Sequence, residues 1–484
     1  MKTCITGGWV VAFRNGGHEV FEGGEVVYEN GAVVHAGGAY AGPVDERIDA
    51  TGMLVAPGFI NTHVHTSGNG GDTMLMDMLK NDYRTTNYMS FAAPIKGRQV
   101  PPAGEDMAAI RRFVLLHAMK GGATTIIDVG GLRGDWERYA ELIESLGARV
   151  YAGPSFRERN TFTDPQGRIY YDSDTEAGRK GLAAAVDYIR AFNGAAGGRL
   201  RGMLNPAQVE TCGEALLRDT KAAARELNVP VHTHAGGNLL EFAEILREQR
   251  RTPIQYLADI GFLDARTLIG HGVFTTAHPW SHYPFGDDLR VLAETGATVG
   301  HCPYKYAKMA IVLRSFQRYL EAGVTLALGT DTFPMDMVSE LRWAGILAKV
   351  ADENYQAGQP RDTFNAATLG GCVFLGRDDL GRLAPGARAD IILVRLDHLH
   401  SAPYRDPIKA LVDFGSGRDV DTAIVEGRTV IAGGHAVALD EAQVYAHARD
   451  AIGRFWQHVP DWHWAGATVD QVIPPAYPLH RRGD

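Results

Sequence analysis

A regular alternation of short apolar strands and helical stretches runs through the middle of the chain. One strand-like run spans Thr124–Val129 and is followed by a helical pattern over Trp136–Leu146. The same order returns after Val229–His234 and after Leu326–Asp331. Strands that alternate with helices predict a parallel sheet covered by helices. The length and the number of repeats favour a closed (β/α)8 barrel over an open sheet, so the predicted fold class is α/β with a TIM-like barrel.

Both ends of the chain differ from this middle, because they read as short strands separated by glycine-containing turns. We therefore predict a small composite β-sandwich domain built from residues 1–57 and 383–436. The barrel is assigned to residues 58–382, and residues 437–484 are expected to form a C-terminal helix and a tail. No glycine-rich phosphate fingerprint follows any of the strands, so a nucleotide-binding fold is not supported.

The composition excludes several classes of protein. Lys and Arg number 48 against 57 Asp and Glu, a net charge of −9, which argues against a nucleic-acid partner. No run approaches the roughly 20 apolar residues of a membrane-spanning helix, and we expect no signal peptide and no membrane partner. The four cysteines are widely spaced, so we do not expect a disulfide framework. We expect a cytoplasmic location.

Polar residues of metal-binding type stand at the ends of four predicted strands. His63 and His65 lie at the end of the first of these strands. A second strand ends at His234, and His232 precedes it by two residues. The other two strands end at His271 and Asp331. Active sites of (β/α)8 barrels lie at the carboxyl ends of the strands, where these side chains would meet. Histidine and carboxylate ligands suit zinc, iron, manganese or cobalt.

These motifs resemble the amidohydrolase superfamily, in particular its branch of s-triazine hydrolases, chlorohydrolases and cytosine-type deaminases. The similarity extends through most of the chain. The matching segments are Pro57–His65, Gly122–Thr125, His234, His271, His301–Pro303, Gly329–Asp331 and Leu383–Asp390.

The resemblance implies one divalent metal ion per chain. It implies that His63, His65, His234 and Asp331 bind the metal and that His271 faces the substrate. Zinc is the expected ion, with iron, manganese or cobalt as alternatives. The fourth-strand segment 202–210 contains no lysine that would bridge two metals, which favours a single ion. We interpret His232 as a residue that orients a ligand, with a direct ligand role as the alternative.

Two departures from the branch bear on the reaction. Deaminases of the branch usually carry a glutamate three residues after the histidine of strand 5, where this chain has Gly237; the nearest acid downstream is Glu241. Lys305 and Tyr306 also stand where the branch usually has Ser-Asn. Both changes favour a metal-dependent hydrolase that cleaves a non-peptide C–N bond of an amide, urea or carbamate. The alternatives are a deaminase of an aminated heterocycle, a dehalogenating hydrolase and a non-catalytic metal-binding protein.

Specific roles follow for the candidate residues. We expect Asp331 to act as the proton acceptor, His271 to polarise the scissile group and Lys305 to act as a proton donor or oxyanion-binding group. We expect the substrate to be a small, fairly apolar molecule, and aromatic molecules are included in this class. We expect the protein to form a homo-oligomer. The residues predicted to bind the substrate are His271, His301, Tyr304, Met89 and Trp280.

Overall fold

A computed structural model describes residues 1–67, 94–98, 104–130, 132, 134–401 and 403–480. The N-terminal part is a series of short strands. They are β1 (Lys2–Thr6), β2 (Trp9–Arg14), β3 (Gly17–Glu22), β4 (Glu25–Glu29), β5 (Ala32–Gly37), β6 (Glu46–Asp49) and β7 (Met53–Pro57). Four of them form one sheet in the order β5-β4-β1-β6.

The strands of the middle part alternate with helices, as the sequence pattern predicts. They are β8 (Phe59–Val64), β9 (Ala123–Asp128), β10 (Arg149–Ala152), β11 (Ser155–Phe156), β12 (Arg159–Thr163), β13 (Ile169–Ser173), β14 (Leu200–Gly202), β15 (Asn205–Pro206), β16 (Val231–Ala235), β17 (Thr267–His271), β18 (Thr298–His301) and β19 (Thr325–Leu328). Two four-stranded parallel sheets result, β14-β10-β9-β8 and β16-β17-β18-β19.

Two isolated parallel bridges link these sheets at both of their edges. Leu204 pairs with Val231 on one side, and Val64 pairs with Asp331 on the other. Each sheet is therefore bridged to the other at both of its edges, by residues that follow β14 and β19. Strands β8, β9 and β10 are buried along their whole length, as expected for parallel strands covered on both faces.

Helices separate the strands of the middle part and continue to the end of the described chain. They are α1 (Gly104–Lys120), α2 (Trp136–Leu146), α3 (Thr175–Phe192), α4 (Glu214–Leu227), α5 (Leu239–Gln249), α6 (Pro253–Asp259), α7 (Asp288–Thr295), α8 (Pro303–Lys308), α9 (Phe316–Glu321), α10 (Met337–Asp352), α11 (Pro360–Thr368), α12 (Gly370–Leu375), α13 (Pro407–Phe414), α14 (Glu441–Gln457), α15 (Val459–Trp462) and α16 (Val469–Val472). None of the helices in the described residues is long and apolar enough to cross a bilayer.

One sheet is built from both ends of the chain. The C-terminal strands are β20 (Ile391–Arg395), β21 (Val420–Val425), β22 (Arg428–Ala432) and β23 (His435–Ala436). They join the N-terminal strands in the order β23-β22-β21-β20-β7-β2-β3. A cluster of buried apolar side chains draws on this sheet and on the β1 sheet, among them Ile5, Val26, Val55 and Ile391. The predicted domain boundaries and the sandwich arrangement stay predictions.

A buried ion cluster ties strand β10 to the C-terminal strands. The guanidinium of Arg149 is 1% exposed. It donates to the carboxylate of Asp390 and forms an ion pair with Glu426, with 2.9 Å between Nη2 and Oε1. Asp390 also accepts from the backbone N–H of Glu426 at 2.9 Å. Because a buried charge is tolerated only when it is paired, these three residues depend on one another.

We expect Arg149→Met to destabilise the protein strongly. The substitution leaves the buried carboxylate of Asp390 without its cation, while Glu426 keeps Arg388 at 3.5 Å. Removing one partner of a buried pair costs about 3–5 kcal/mol. The measurement is the midpoint of urea unfolding followed by tryptophan fluorescence. Arg395→Met is the control, because Arg395 is 47% exposed and pairs with Asp421 at the surface, where about 1 kcal/mol or less is expected. Equal midpoints for both variants would contradict the inference.

Candidate metal centre

Side chains from four strand ends meet on one side of the two parallel sheets. His63 lies in β8, His234 in β16 and His271 at the last position of β17. His65 follows β8 directly, and Asp331 follows β19 after a short turn. The carboxyl ends of parallel strands share one edge of a sheet, so sequence positions far apart are brought together there.

Hydrogen bonds fix the end of β8 against the turn that carries Asp331. The backbone N–H of Asp331 donates to the carbonyl of His63 at 2.7 Å, and the N–H of His65 donates to the carbonyl of Asp331 at 3.2 Å. The amide of Asn61 donates to the hydroxyl of Thr330 at 2.9 Å and accepts from the Thr330 N–H at 3.1 Å. Asp331 has a φ of 61°, a left-handed conformation that this local network holds.

The ligand-type atoms lie at the spacing that a tetrahedral metal site requires. The Nε2 atom of His63 is 3.3 Å from that of His65 and 3.2 Å from that of His234. The Nε2 atom of His65 is 3.4 Å from Oδ1 of Asp331. Atoms bound to one tetrahedral zinc at about 2.0–2.1 Å are about 3.3 Å apart. One nitrogen cannot share a proton with two ring nitrogens at once, so a common cation accounts for the arrangement better than hydrogen bonds do.

The three imidazoles are held in the neutral form that binds metals. Burial is the main cause that lowers the pKa of His63, of His65 and of His234, the last to about 3. Nδ1 of His234 lies 2.6 Å from the carbonyl oxygen of Ala207, which can only accept. The proton therefore resides on Nδ1 and leaves Nε2 with a free lone pair.

Asp331 also forms a buried ion pair on its other oxygen. Lys305 Nζ is 2.7 Å from Oδ2 of Asp331, and both side chains are 4% exposed. His271 Nε2 lies 3.2 Å from the same oxygen. Burial alone would raise the pKa of Asp331, but the charge of Lys305 and the proximity of His65 outweigh it, so that this pKa is lowered. The carboxylate stays ionised with a cation beside it.

His232 and Cys302 lie beside this group. His232 Nδ1 is 2.8 Å from Oδ1 of Asn205, and its imidazole forms a potential metal-binding group with His63 and His234. These contacts fit both roles considered for His232, which are to orient a metal ligand and to bind the metal directly. Cys302 groups with His271 and Asp331, and burial raises the pKa of its thiol well above the ordinary value.

The acid that follows the strand-5 histidine is bound by backbone groups. The carboxylate of Glu241 accepts from the N–H of Gly236 and, at 3.0 Å, from the N–H of Gly237. Burial raises the pKa of Glu241 to about 7, against the lowering effect of these backbone hydrogen bonds. A Cβ placed on Gly237 would lie 3.6 Å from a ring carbon of His271. The same point lies 3.5 Å from Oε2 of Glu241, so position 237 faces His271 with the Glu241 carboxylate beside it.

Asp128 supports the segment that carries His65. Its Oδ2 atom accepts from the hydroxyl of Thr66 at 2.6 Å and from the hydroxyl of Tyr139 at 2.7 Å. Thr66 follows His65 directly, so this network limits where the imidazole can lie. The sequence analysis missed Asp128, which lies one residue before the end of the predicted strand 124–129 and is the last residue of β9.

The predicted substrate-binding residues other than His271 are spread more widely. His301 is buried, which lowers its pKa to about 3, and its ring lies 6.2 Å from that of Phe316. Tyr304 packs against Trp343, and Trp280 lies beside Phe274 and His278. Met89 lies outside the described residues. These contacts do not test a substrate-binding role for His301, Tyr304 or Trp280. Their assignment stays a prediction.

The comparison with protein families agrees with this geometry. The model of the amidohydrolase family matches residues 54–430, most of the chain. The chain belongs to the amidohydrolase family. It is therefore a hydrolase that acts on carbon–nitrogen bonds, and the histidine and aspartate groups fit the divalent metal of such enzymes.

Similar curated proteins are deaminases by name. The 5-methylthioadenosine/S-adenosylhomocysteine deaminase of Halobacterium salinarum is 33% identical over 84% of this chain and 87% of its own length. The 5'-deoxyadenosine deaminase of Methanothermobacter thermautotrophicus is 30% identical over 85% of this chain and 89% of its own.

Similar solved structures share the fold of this amidohydrolase. A zinc-bound adenosine deaminase from Xanthomonas campestris has a TM-score of 0.74 at 21% identity, covering 94% of this chain and 98% of its own. A zinc complex of atrazine chlorohydrolase from Arthrobacter aurescens has a TM-score of 0.75 at 22% identity, with 93% and 100% covered.

We expect His63→Ala to abolish tight metal binding. Its Nε2 atom is within 3.3 Å of two other imidazole nitrogens, so its loss opens the centre of the site. The measurement is metal content per chain by elemental analysis after dialysis, with about one ion expected in the unmodified protein. His301→Ala is the matched control, a buried histidine at a neighbouring strand end, and should keep its metal. Equal metal content in the two variants would remove His63 from the site.

Proposed function

We propose that a single divalent metal ion, zinc in the first instance, is bound by His63, His65, His234 and Asp331. The spacing of 3.2–3.4 Å between their facing atoms supports this assignment. The neutral state of the three imidazoles supports it as well, because only the neutral ring binds a metal.

We propose that the enzyme hydrolyses a non-peptide C–N bond of an amide, urea or carbamate in a small, fairly apolar substrate. The observation that carries this proposal is the ion pair of Lys305 with Asp331, at 2.7 Å and almost fully buried. It provides an ammonium group beside the carboxylate. Gly237 offers no carboxylate at the position where deaminases of the branch have one, and Glu241 is bound to backbone N–H groups.

The proposed mechanism assigns one proton-transfer role to each buried group. A bound divalent metal would supply hydroxide at neutral pH by lowering the pKa of water to about 7. Asp331 accepts the proton that the attacking water loses, and the His271 N–H polarises the scissile carbonyl. Lys305 donates a proton to the leaving nitrogen, and the C–N bond breaks as the C–O bond forms. The proton on Asp331 then passes to Lys305 across their contact, which restores both groups.

We expect Lys305→Met to lower kcat by about 10²–10⁴-fold, the usual contribution of one general acid. The substitution keeps an unbranched side chain one atom shorter and removes the ammonium group. The measurement is steady-state kinetics with substrates whose leaving amines differ in basicity. The loss should be largest for the most basic amine, since that amine needs protonation most.

Lys308→Met is the control for this variant. Lys308 lies on the same short helix, α8, but is exposed. It should keep full activity. A Lys305→Met enzyme whose loss does not vary with the leaving amine would assign Lys305 to binding or folding instead of proton donation.

The second candidate is a deaminase of an aminated heterocycle, favoured by the names of the curated relatives. The two candidates differ in their products. The experiment assays the metal-loaded enzyme against anilides, phenylureas and aminated heterocycles, and follows both ammonia and organic amine. Release of an organic amine from the anilides or ureas is the expected result. Ammonia from the heterocycles alone would establish the deaminase.

We propose further that the eight parallel strands close into a barrel over residues 58–382. In this proposal residues 1–57 and 383–436 form the composite sandwich domain, and residues 437–484 form the C-terminal helix and tail. The shared seven-stranded sheet and the buried cluster around Ile5 and Ile391 support the composite domain. We also propose that the protein is a cytoplasmic homo-oligomer and that its substrate is a small molecule.

A further inference from the structure

A cavity of about 330 Å³ lies between helices α1 and α2. Its inner wall includes the buried residues Arg111, Tyr139 and Leu142, and its outer rim includes exposed residues such as Glu105 and Arg138. This volume is within the range of small-molecule pockets, which begin at about 300 Å³. The ligand atoms of the metal centre take no part in its lining.

Arg111 is the unusual feature of this cavity. Its side chain is only 5% exposed, yet no hydrogen bond or ion pair to its guanidinium is found among the described residues. The guanidinium lies against the face of the Tyr139 ring, with 5.7 Å from Cζ to the ring centroid. The other deeply buried arginine considered above, Arg149, has two carboxylates. Because an unpaired buried charge is costly, Arg111 lacks the partner that its burial calls for.

The charged residues at the mouth of the cavity differ from those on its floor. At the mouth, Arg138 pairs with Glu105 at 2.6 Å, and these side chains are 57% and 81% exposed. Asp135 and Glu141 are also exposed carboxylates of the rim. With three carboxylates and one guanidinium, the rim is therefore acidic.

The floor carries two guanidinium groups for which the described residues provide no carboxylate partner. Arg112 lies next to Arg111 in the lining, and its buried Nε atom has no hydrogen-bond partner among the described residues. Leu142 and the ring of Tyr139 provide apolar surface beside the two guanidinium groups.

We propose that this cavity binds a small organic oxoanion, a carboxylate or a phosphate ester, with its charged group on Arg111 and Arg112. A guanidinium binds such groups through two parallel N–H···O hydrogen bonds, which would supply the missing partner. The apolar part of the ligand packs against Leu142 and Tyr139. The carboxylates of the rim favour a ligand of low net charge.

The test measures binding to the full-length, metal-loaded protein by isothermal titration calorimetry. The probes are inorganic phosphate and benzoate, which represent the two possible oxoanions. We expect one of them to bind with a Kd of about 10 mM or tighter, as weak fragments do. Arg111→Met should weaken that binding by about tenfold or more, because it removes a charge-assisted hydrogen-bond pair. Binding of phosphate alone or of benzoate alone identifies the kind of oxoanion.

Two further variants keep the test decisive. Arg111→Lys retains the charge and the fold while losing the planar fork, and should weaken binding less than Arg111→Met. Arg190→Gln replaces an arginine that is 59% exposed and lies outside the cavity lining, and should leave binding unchanged. Absence of binding for both probes would overturn the proposal. Binding that all three variants retain would also overturn it, since the anion would then lie elsewhere, for example at the metal.

Discussion

Backbone hydrogen bonds between β8 and the turn after β19 set the spacing of three of the four proposed ligands. These bonds place His63, His65 and Asp331 within one short length of paired chain. Asn61 and Thr330 complete this pairing from inside the sheet, through side-chain bonds to each other and to the backbone. Because ligand distances must be held within about 0.2 Å for a metal to bind tightly, the pairing of the first and last strands is also the condition for the chemistry.

Four buried lysine and arginine side chains lie in the described part of the chain, and their surroundings differ. Arg149 has two carboxylates and joins the middle strands to the C-terminal sheet. Lys221 pairs with Asp264 at 2.7 Å, and Lys305 pairs with Asp331, a carboxylate that also faces His65. Arg111 lies against an aromatic face and has no carboxylate partner among the described residues. A fold keeps a buried charge when something compensates it, which is why we propose a reacting role for Lys305 and a ligand site at Arg111.

The strand-end histidines were predictable because each closes an apolar run, and six of the named candidates do meet in the structure: His63, His65, His234, His271, Lys305 and Asp331. The hairpin of β12 and β13 was missed, although Asp164 and Gly167 form its turn in a recognisable pattern. Asn61 and Asp128 were missed because their importance comes from partners distant in sequence, Thr330 and Tyr139. For Met89 and for the domain boundaries the expectations are still untested.

The location of the proton donor decides which leaving group such a site can release. A carboxylic acid on the strand-5 loop would face a ring nitrogen of a planar heterocycle, and here that loop carries Gly237. The only buried ammonium found beside Asp331 among the described residues is that of Lys305, which extends from the helix after β18. In the proposed mechanism this ammonium protonates the leaving nitrogen, whereas protonation of a ring nitrogen would use a donor on the strand-5 loop. The combination of Lys305 with Gly237 is the ground on which we propose hydrolysis of an acyclic carbonyl compound ahead of deamination of a ring.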